Sequence, residues 1–497
     1  MKKTFILSAF AVLLLATSCG KDFVTVRHNS SEPLDEYFIN ESRMYEGLIA
    51  AYDPLQWYDY FYQYTSLNFI YDIMADDIYC GGSNEGDQPG LVKIHYFTST
   101  PTETIDVPWT TSFSGINRCC HVLENVDGVP GMSEETKTLY KAEATVLKAY
   151  YYSVLWKIYG SVPYYDQNLT APYTAPQLNE DEIYENIVTR LEEAIDWGVL
   201  PMKQDPVNYG RVTLAMAYML YTECVMIQND ESRYAKALGY MEEIINSGLY
   251  DLVDDFASIW EETGEWGMES IWEINYVSEN GVRSWDAPIA CGGSIYPVLI
   301  GIPGGTDRFS DGWGFSPVPE SAYLMYEEGD QRRDGGIYNH LAVVPDYLES
   351  GSARWQCEGY FLLKYMARNN GNHGYSGDPN MNHGNNQRIY RYAETLLNAA
   401  ELALRTGSNG QEWLQKVCDR AGSTMDYSID GIIDERRKEF LGEGKRYFDL
   451  VRTGKASTVL TAANHKYRTV SWTENKRHLP IPQSEIDKDP NLVQNNY

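Results

Sequence analysis

Basic side chains are scarce in this sequence. Its 497 residues include 40 Lys and Arg against 70 Asp and Glu, which gives a formal net charge of −30 at pH 7. Nucleic-acid-binding proteins need basic side chains to neutralise phosphates, and helices that lie on membrane surfaces carry a basic polar face. The composition therefore argues against both classes, and no nucleic-acid partner is expected.

Long apolar runs are missing except at the N-terminus, where two lysines precede an apolar run over residues 5–15. This run is too short to cross a bilayer, and the small residues 16–18 follow it, which is typical of a secretory signal peptide. Cys19 comes next, as in a bacterial lipoprotein signal, whose mature N-terminal cysteine carries acyl chains. Ordinary secretion with an incidental cysteine is the alternative. Removal of residues 1–18 takes away two lysines and no acid, so the mature net charge becomes −32.

Catalytic and metal-binding motifs are also missing. The chain has 8 cysteines but no C-x-x-C, and it lacks H-E-x-x-H, G-x-S-x-G, G-x-G-x-x-G and P-loop patterns. His373 and His383 bracket Asp378, but this spacing matches no standard metal site. We predict no catalytic residue, no metal and no cofactor, and we do not expect an enzyme.

Tyrosine and tryptophan are abundant, with 40 Tyr and 12 Trp against 14 Phe, and many lie on helical stripes. The periodic segments 139–250 and 388–452 predict paired helices with short connections, namely 139–159 with 180–197, 211–228 with 232–247, and 388–405 with 411–421, followed by a charged helix near 431–452. Helix pairs at this period suggest tetratricopeptide-like units. We therefore predict a mainly α fold of such pairs, with long irregular loops and a few short strands, of which 270–277 is the best. Residues 19–497 are expected to form one domain.

A loop-rich insert over residues 278–387 breaks the helical pattern. Its first part, 278–319, holds eight Gly and five Pro together with five Trp, Tyr and Phe residues. Long connections without periodicity are functional or disordered, and their aromatic content favours an ordered, functional loop here. Its last part, 368–387, is rich in Asn and Gly and is expected to be a mobile surface loop.

The C-terminus carries a family resemblance. Residues 479–497 read LPIPQSEIDKDPNLVQNNY and closely resemble the terminal signature of the SusD/RagB family, roughly P-I-P-x-x-E-I-x-x-N-P-x-L-x-Q-N-P-G-Y. Asp489 replaces the usual Asn, and Asn496 stands where Pro-Gly is common. Residues 434–456 resemble the family's E-R-R-x-E helix, and 391–401 resemble its R-Y-A-E-x-L-L-N-x-A-E segment.

This resemblance implies an outer-membrane lipoprotein of Bacteroidetes-type cells, anchored through Cys19 and facing the cell exterior. Such proteins bind glycans, or sometimes peptides, and act as a lid over a SusC-like TonB-dependent β-barrel transporter without cleaving their ligand. The expected function is to capture an oligo- or polysaccharide and pass it to the transporter. One alternative is a helical-repeat lipoprotein for peptide uptake or protein interaction, without glycan binding. A surface glycosidase is a third hypothesis, since an unrecognised carboxylate pair leaves no motif.

Sugar recognition needs flat rings that stack on pyranose C–H groups, and polar groups that fix the hydroxyls. Trp285, Tyr296 and Trp313 in the insert are the candidate platform, with Arg308 as a hydroxyl donor and Phe309 beside it. The alternative for each is packing that anchors the loop. The net charge favours a neutral glycan over a polyanionic one.

A second candidate surface combines the aromatic run 57–64 (WYDYFYQY) with the adjacent carboxylates Asp76 and Asp77. Adjacent acids need not point the same way, so solvated faces or loop caps are the alternative reading for the pair.

Overall fold

Helices dominate the structure, a computed structural model that describes residues 37–59, 63, 65–371 and 374–497. The described helices are α1 (Glu41–Tyr52), α2 (Leu67–Met74), α3 (Pro89–His95), α4 (Val107–Asn125), α5 (Glu134–Tyr159), α6 (Glu180–Asp196), α7 (Leu214–Gln228), α8 (Tyr234–Asn246), α9 (Tyr296–Leu299), α10 (Glu320–Tyr323), α11 (Gln331–Gly336), α12 (Tyr392–Thr406), α13 (Gln411–Ala421), α14 (Ile429–Glu439), α15 (Arg446–Arg452), α16 (Ala456–Val459) and α17 (Gln483–Ile486). The strands are β1 (Val162–Pro163), β2 (Gln177–Leu178), β3 (Ser270–Ile274), β4 (Pro317–Val318), β5 (Ile337–Asn339), β6 (Tyr360–Leu362) and β7 (Gln387–Arg391). The predicted mainly α class with a few short strands is confirmed.

The three predicted helix pairs are present and form the scaffold. Helix α5 packs against α6, α7 against α8, and α12 against α13, while α8 and α12 join the last two pairs. Helix α4, which the periodicity did not reveal, lies along α5. One large core cluster runs through all of these helices. No helix within the described ranges combines the length and apolarity that crossing a bilayer requires.

Local capping signals explain where these helices begin and end. The side chain of Asn179 accepts from the backbone N–H of Glu182, whose carboxylate accepts from the N–H of Asn179, and the two residues form a capping box at the start of α6. Ser133 caps α5 through the N–H of Thr136, and α5 ends at Gly160, whose φ of 69° is costly for other residues.

Two helix predictions are wrong in part. Residues 388–391 belong to strand β7, which pairs antiparallel with β3 and places Arg391 opposite Ser270. The charged helix near 431–452 is two helices, because Gly442 and Gly444 adopt left-handed φ values of 79° and 75° between them.

The insert packs partly on the main core and partly on a small core of its own. Strands β4, β6 and β5 form a three-stranded antiparallel sheet with β6 in the middle. Strands β3 and β7 form a separate two-stranded sheet. A separate apolar cluster includes Phe361 of β6 and consists of Ile302, Phe309, Tyr347, Phe361, Leu363 and Met366. The insert therefore presents its loops from a fixed base.

Candidate functional site

Two tryptophans of the insert lie parallel to each other at the edge of this loop region. The ring centroids of Trp285 and Trp313 are 6.0 Å apart and their planes make an angle of 14°, which is an offset stack. Trp285 is 36% exposed, whereas Trp313 is half-buried and packs against the main core. The structure thus brings together two of the predicted platform residues.

The polar edge of Trp285 is fixed by Asp378 from the Asn/Gly-rich loop. The indole Nε1 donates a hydrogen bond of 2.7 Å to Oδ2 of Asp378. The other carboxylate oxygen accepts from the backbone N–H of Asn380 at 2.9 Å. Sequence reasoning missed this role of Asp378, because its partner lies 93 residues away in the chain and leaves no local signal.

The histidine that follows this loop faces the interior. His383 is buried, and burial lowers the pKa of its imidazole to about 4. His373 lies outside the described residues. Within the described part of the chain, no three His, Cys, Asp or Glu side chains form a group that could hold a metal ion.

A buried ion pair anchors the base of the insert next to Trp285. Nη1 of Arg283 lies 2.8 Å from Oδ2 of Asp59, and both side chains are only 1% exposed. Arg283 donates further hydrogen bonds to three backbone carbonyls, those of Gln56, Pro288 and Gly293. Asp59 accepts from two backbone N–H groups, those of Ile295 and Tyr296. Burial raises the pKa of Asp59, and Arg283 opposes this rise. The buried ion pair fixes the segment that precedes Trp285, and breaking it is costly.

Arg354 lies next to the chain segment that carries Trp313. Gly314 has a left-handed φ of 73°, and a Cβ at this position would lie 2.9 Å from Cγ of Arg354. The arginine side chain therefore packs directly on the backbone beside Trp313. The next residue, Trp355, is half-buried, and its ring centroid lies 6.4 Å from that of Tyr96. Sequence reasoning missed these three side chains, although Arg354 and Trp355 lie within the predicted insert.

The predictions for Tyr296 and Phe309 are wrong. Tyr296 is 3% exposed and Phe309 is 1% exposed, so neither ring has a face available for stacking on a sugar. The ring of Tyr296 packs 5.7 Å from that of Tyr365, and the ring of Phe309 packs 5.2 Å from that of Tyr338. Tyr296 belongs to the main core and Phe309 to the small core of the insert, so both have the loop-anchoring role given as the alternative.

Arg308 is exposed, with 59% of its side chain accessible. Its guanidinium carbon lies 4.9 Å from the centroid of Phe309, and Nη2 lies 3.5 Å from Oε1 of Glu261. The exposed guanidinium can still donate hydrogen bonds to a ligand. Its predicted role as a donor to sugar hydroxyls stays a prediction.

The prediction of Asp76 and Asp77 as a sugar-binding surface is wrong, because both carboxylates lie in ion pairs of the scaffold. Oδ1 of Asp77 lies 2.5 Å from Nη2 of Arg437, and Oδ1 of Asp76 lies 2.9 Å from Nε of Arg446. Burial opposes ionisation of Asp76, but Arg446 and Arg437 hold its pKa below the usual value. These pairs tie the end of α2 to α14 and α15.

The rest of the second candidate surface is only partly described. Trp57 and Tyr58 are buried, and the hydroxyl of Tyr58 shares a 2.7 Å hydrogen bond with that of Ser112. Residues 60–62 and 64 lie outside the described residues, as does Cys19.

Two family models match the chain. The model described as "SusD family" matches residues 320–497. The model described as "Starch-binding associating with outer membrane" matches residues 24–220. Together they cover most of the helical scaffold and the C-terminal signature.

Solved structures with similar chains agree with these matches. Surface glycan-binding protein A from Bacteroides thetaiotaomicron is 45% identical, with a TM-score of 0.88 over 93% of this chain and 100% of that chain. A structure of the same-named protein in complex with laminarihexaose is 44% identical, with a TM-score of 0.87 over 92% of this chain and 100% of that chain. Surface glycan-binding protein A from Bacteroides uniformis is 41% identical, with a TM-score of 0.83 over 92% of this chain and 100% of that chain.

Proposed function

The chain belongs to the SusD family, and from this premise we propose that it is a surface glycan-binding protein that captures an oligo- or polysaccharide and passes it to a SusC-like TonB-dependent transporter. One observation carries the glycan-binding part of this proposal. It is the parallel pair of Trp285 and Trp313, with the polar edge of the exposed ring held by Asp378.

The stack suits a sugar ring for two reasons. An exposed indole offers a flat apolar face to the C–H groups of a pyranose, and a second parallel ring behind it keeps that face in place. Arg354, packed beside Trp313, supplies guanidinium N–H groups that can donate to sugar hydroxyls. Fixed rings lose little conformational entropy on binding, which favours affinity.

A neutral glucan of the laminarin type is the proposed ligand. A structure that is 44% identical to this chain holds laminarihexaose, a neutral glucose oligomer. The overall charge of −30 disfavours a polyanionic ligand, and stacking on indole rings needs no charge. Glycan binding without hydrolysis is the proposed mode of action, as in the relatives named for glycan binding.

Outer-membrane attachment through an acylated Cys19, with the body facing the cell exterior, completes the proposal. The match to the family model described as associating with the outer membrane supports it, together with the lipoprotein-type sequence that precedes Cys19. Removal of residues 1–18 as a signal peptide leaves residues 19–497 as the working protein. Co-purification of a large β-barrel with the lipidated protein tests the transporter partner.

The glycan proposal is tested by calorimetric titration with laminarihexaose and by affinity electrophoresis across neutral and sulfated polysaccharides. Trp285→Ala should lower the affinity at least about tenfold, as expected for loss of an aromatic anchor. The matched control is Trp197→Ala, which removes a tryptophan that is 40% exposed at the end of α6. This control should bind as the wild-type protein does.

Other outcomes separate the alternatives. Equal binding by both variants would contradict the placement of the site at Trp285, and tight binding of a sulfated polymer would contradict the neutral ligand. Cleavage products after prolonged incubation would favour the glycosidase hypothesis. A wild-type protein that binds no polysaccharide but retains a peptide or protein partner would favour the protein-interaction alternative.

A further inference from the structure

A second cleft lies between α1, the turn before α7 and the end of β3, and we propose that it binds a sugar residue of the same neutral glycan chain. It encloses about 270 Å³. We call it the Tyr209 cleft, and it is lined by Ile49, Tyr52, Asp53, Leu55, Gln56, Tyr209, Gly210, Arg211, Glu273, Ile274, Asn275 and Cys291. The proposal rests on the glycan-binding function proposed above, but it concerns a different set of residues.

The cleft has its own stacked aromatic pair. The ring centroids of Tyr209 and Trp266 are 5.0 Å apart and their planes make an angle of 15°. Both side chains are half-buried, and Tyr209 faces the cleft. Like Trp285 and Trp313, these two rings are stacked nearly parallel to each other.

The pair is fixed in place by hydrogen bonds at both ends of Trp266. The indole Nε1 donates to Oδ1 of Asn275 at 3.0 Å, and the backbone N–H donates to Oε1 of Glu273 at 2.9 Å. Trp266 has a left-handed φ of 53°, which is unfavourable for a bulky residue and persists only where its surroundings impose it. The protein thus holds this ring in a costly conformation beside an open cleft.

An exposed amide stands next to the aromatic pair. Nδ2 of Asn275 donates to the carbonyl of Tyr209 at 2.9 Å, and the side chain remains exposed. Gly210 permits this approach, because a Cβ at its position would lie 2.5 Å from Nδ2 of Asn275. A flat ring with an oriented amide at its edge is the combination that sugar recognition requires.

The charges that line the cleft are compensated by partners. Asp53 pairs with Arg118 at 2.8 Å. Arg211 pairs with Glu143, and Glu273 lies 3.8 Å from Arg388. Because each charge has a counterion within the protein, the cleft favours a neutral polyhydroxyl ligand over an ionic one.

The Tyr209 cleft and the tryptophan platform, by which we mean the stacked pair Trp285 and Trp313, share one structural support. The side-chain amide of Gln56 donates to the backbone carbonyl of Asn275 at 2.6 Å, and the backbone carbonyl of Gln56 accepts from Arg283 at 2.8 Å. Cys291, which lines the cleft, accepts through its carbonyl from the N–H of Val282 in the loop that carries Trp285. A long glycan that crosses this loop gains affinity from two linked contacts.

Binding of polymeric laminarin is the first measurement. Tyr209→Ala should weaken binding of the polymer roughly tenfold, because the second of two linked contacts is lost. The matched control is Tyr173→Ala, which removes a tyrosine that is 71% exposed and does not line the cleft. It should bind as the wild-type protein does, and thermal unfolding of both variants reports whether they fold.

A second measurement uses the reactivity of Cys291, a thiol that lines the cleft. Cys291 is exposed, whereas Cys80, Cys119, Cys120, Cys224 and Cys418 are buried, and burial raises the pKa of the half-buried Cys357 to about 11. Iodoacetamide should therefore alkylate Cys291 first among these thiols, as mapped by peptide mass spectrometry. Saturating laminarin should slow this reaction at least about fivefold in the wild-type protein and in Trp285→Ala, but not in Tyr209→Ala.

The outcomes distinguish this inference from the proposed function. If the wild-type protein binds laminarin while Tyr209→Ala binds equally well, or if bound laminarin leaves the alkylation of Cys291 unchanged, the second site is rejected and the tryptophan platform stands. Equal protection of Cys291 in Tyr209→Ala also rejects it, since the protection then comes from the platform. A wild-type protein that binds no neutral glycan rejects both.

Discussion

Arg391 and Glu443 form a two-point ion pair in the interior of the scaffold. Nε of Arg391 donates to Oε2 of Glu443 and Nη2 donates to Oε1, each at 2.8 Å. The arginine side chain is 1% exposed and the glutamate 4%. Arg391 also pairs with Glu269 and Glu439, so one guanidinium contacts three buried carboxylates. Both partners of the main pair lie in the segments that resemble the family, which explains why those motifs identify the fold and not the ligand.

Loss of this guanidinium should destabilise the fold. Arg391→Met removes a cation that contacts three buried carboxylates and leaves its hydrogen bonds to them unmade, although each carboxylate keeps another cationic partner. We expect the free energy of unfolding to fall by about 3–5 kcal/mol. Urea denaturation followed by circular dichroism measures this change. The control is Arg333→Met, at a surface pair with Asp334 whose side chains are 31% and 65% exposed, and it should cost less than about 1 kcal/mol. Similar losses in both variants would contradict the role assigned to the buried network.

Glu265 should make stability depend on pH. Burial raises the pKa of its carboxyl from 4.5 to about 7, although Arg388 opposes this rise. The folded state therefore binds this proton more tightly, so its stabilising effect is complete below about pH 4.5 and is lost as the pH rises through about 7.

The test is Glu265→Gln, which keeps an oxygen acceptor for the N–H of Asn386 but cannot ionise. Its free energy of unfolding relative to wild type should increase by on the order of 2–3 kcal/mol between about pH 5 and pH 8. Urea denaturation at both pH values measures it, with the exposed Glu85→Gln as the control. A difference from wild type that does not change with pH would show that Glu265 is already ionised near pH 5.

Helix ends set by neighbouring residues could be predicted from the sequence, whereas features set by distant partners could not. Asn179 and Glu182 are three residues apart, so their capping box is visible in the sequence. Residues 388–391 continue a helical pattern in the sequence, but pairing with β3 makes them a strand. The break before α15 depends on the close approach of Leu362 to Gly442, where a Cβ would meet a side-chain carbon at 2.3 Å.

The same distinction holds for the candidate site. Composition indicated that the insert carries functional aromatic residues, but it could not show that Trp285 is exposed and Tyr296 is buried. The first is 36% exposed and the second is 3% exposed, and this difference arises from packing against Tyr365, far away in the sequence. Asp378 could not be assigned to Trp285 for the same reason.

Cys19 should determine where the protein resides. Acylation of an N-terminal cysteine by more than one chain gives stable membrane anchoring, whereas a chain without it stays in solution. Cys19→Ala should move the protein from the membrane fraction to the soluble fraction, as measured by immunoblotting after fractionation. The control Cys357→Ala changes a half-buried thiol of the body and should remain in the membrane fraction. Retention of Cys19→Ala in the membrane would reject the lipid anchor.

The hydrogen bond from Trp285 to Asp378 should contribute to glycan affinity by fixing the orientation of the ring. Asp378→Ala removes the 2.7 Å acceptor and also the bond to the N–H of Asn380, so the ring must be ordered again on each binding event. We expect the affinity for laminarihexaose to fall about fivefold to tenfold, which corresponds to the loss of one or two ordinary hydrogen bonds. Asp378→Asn is the matched control, because its amide oxygen can still accept from the indole, and it should bind nearly as well as wild type. Calorimetric titration measures both. If Asp378→Asn and Asp378→Ala weaken binding equally, the carboxylate contacts the sugar through its charge and does not act by positioning Trp285.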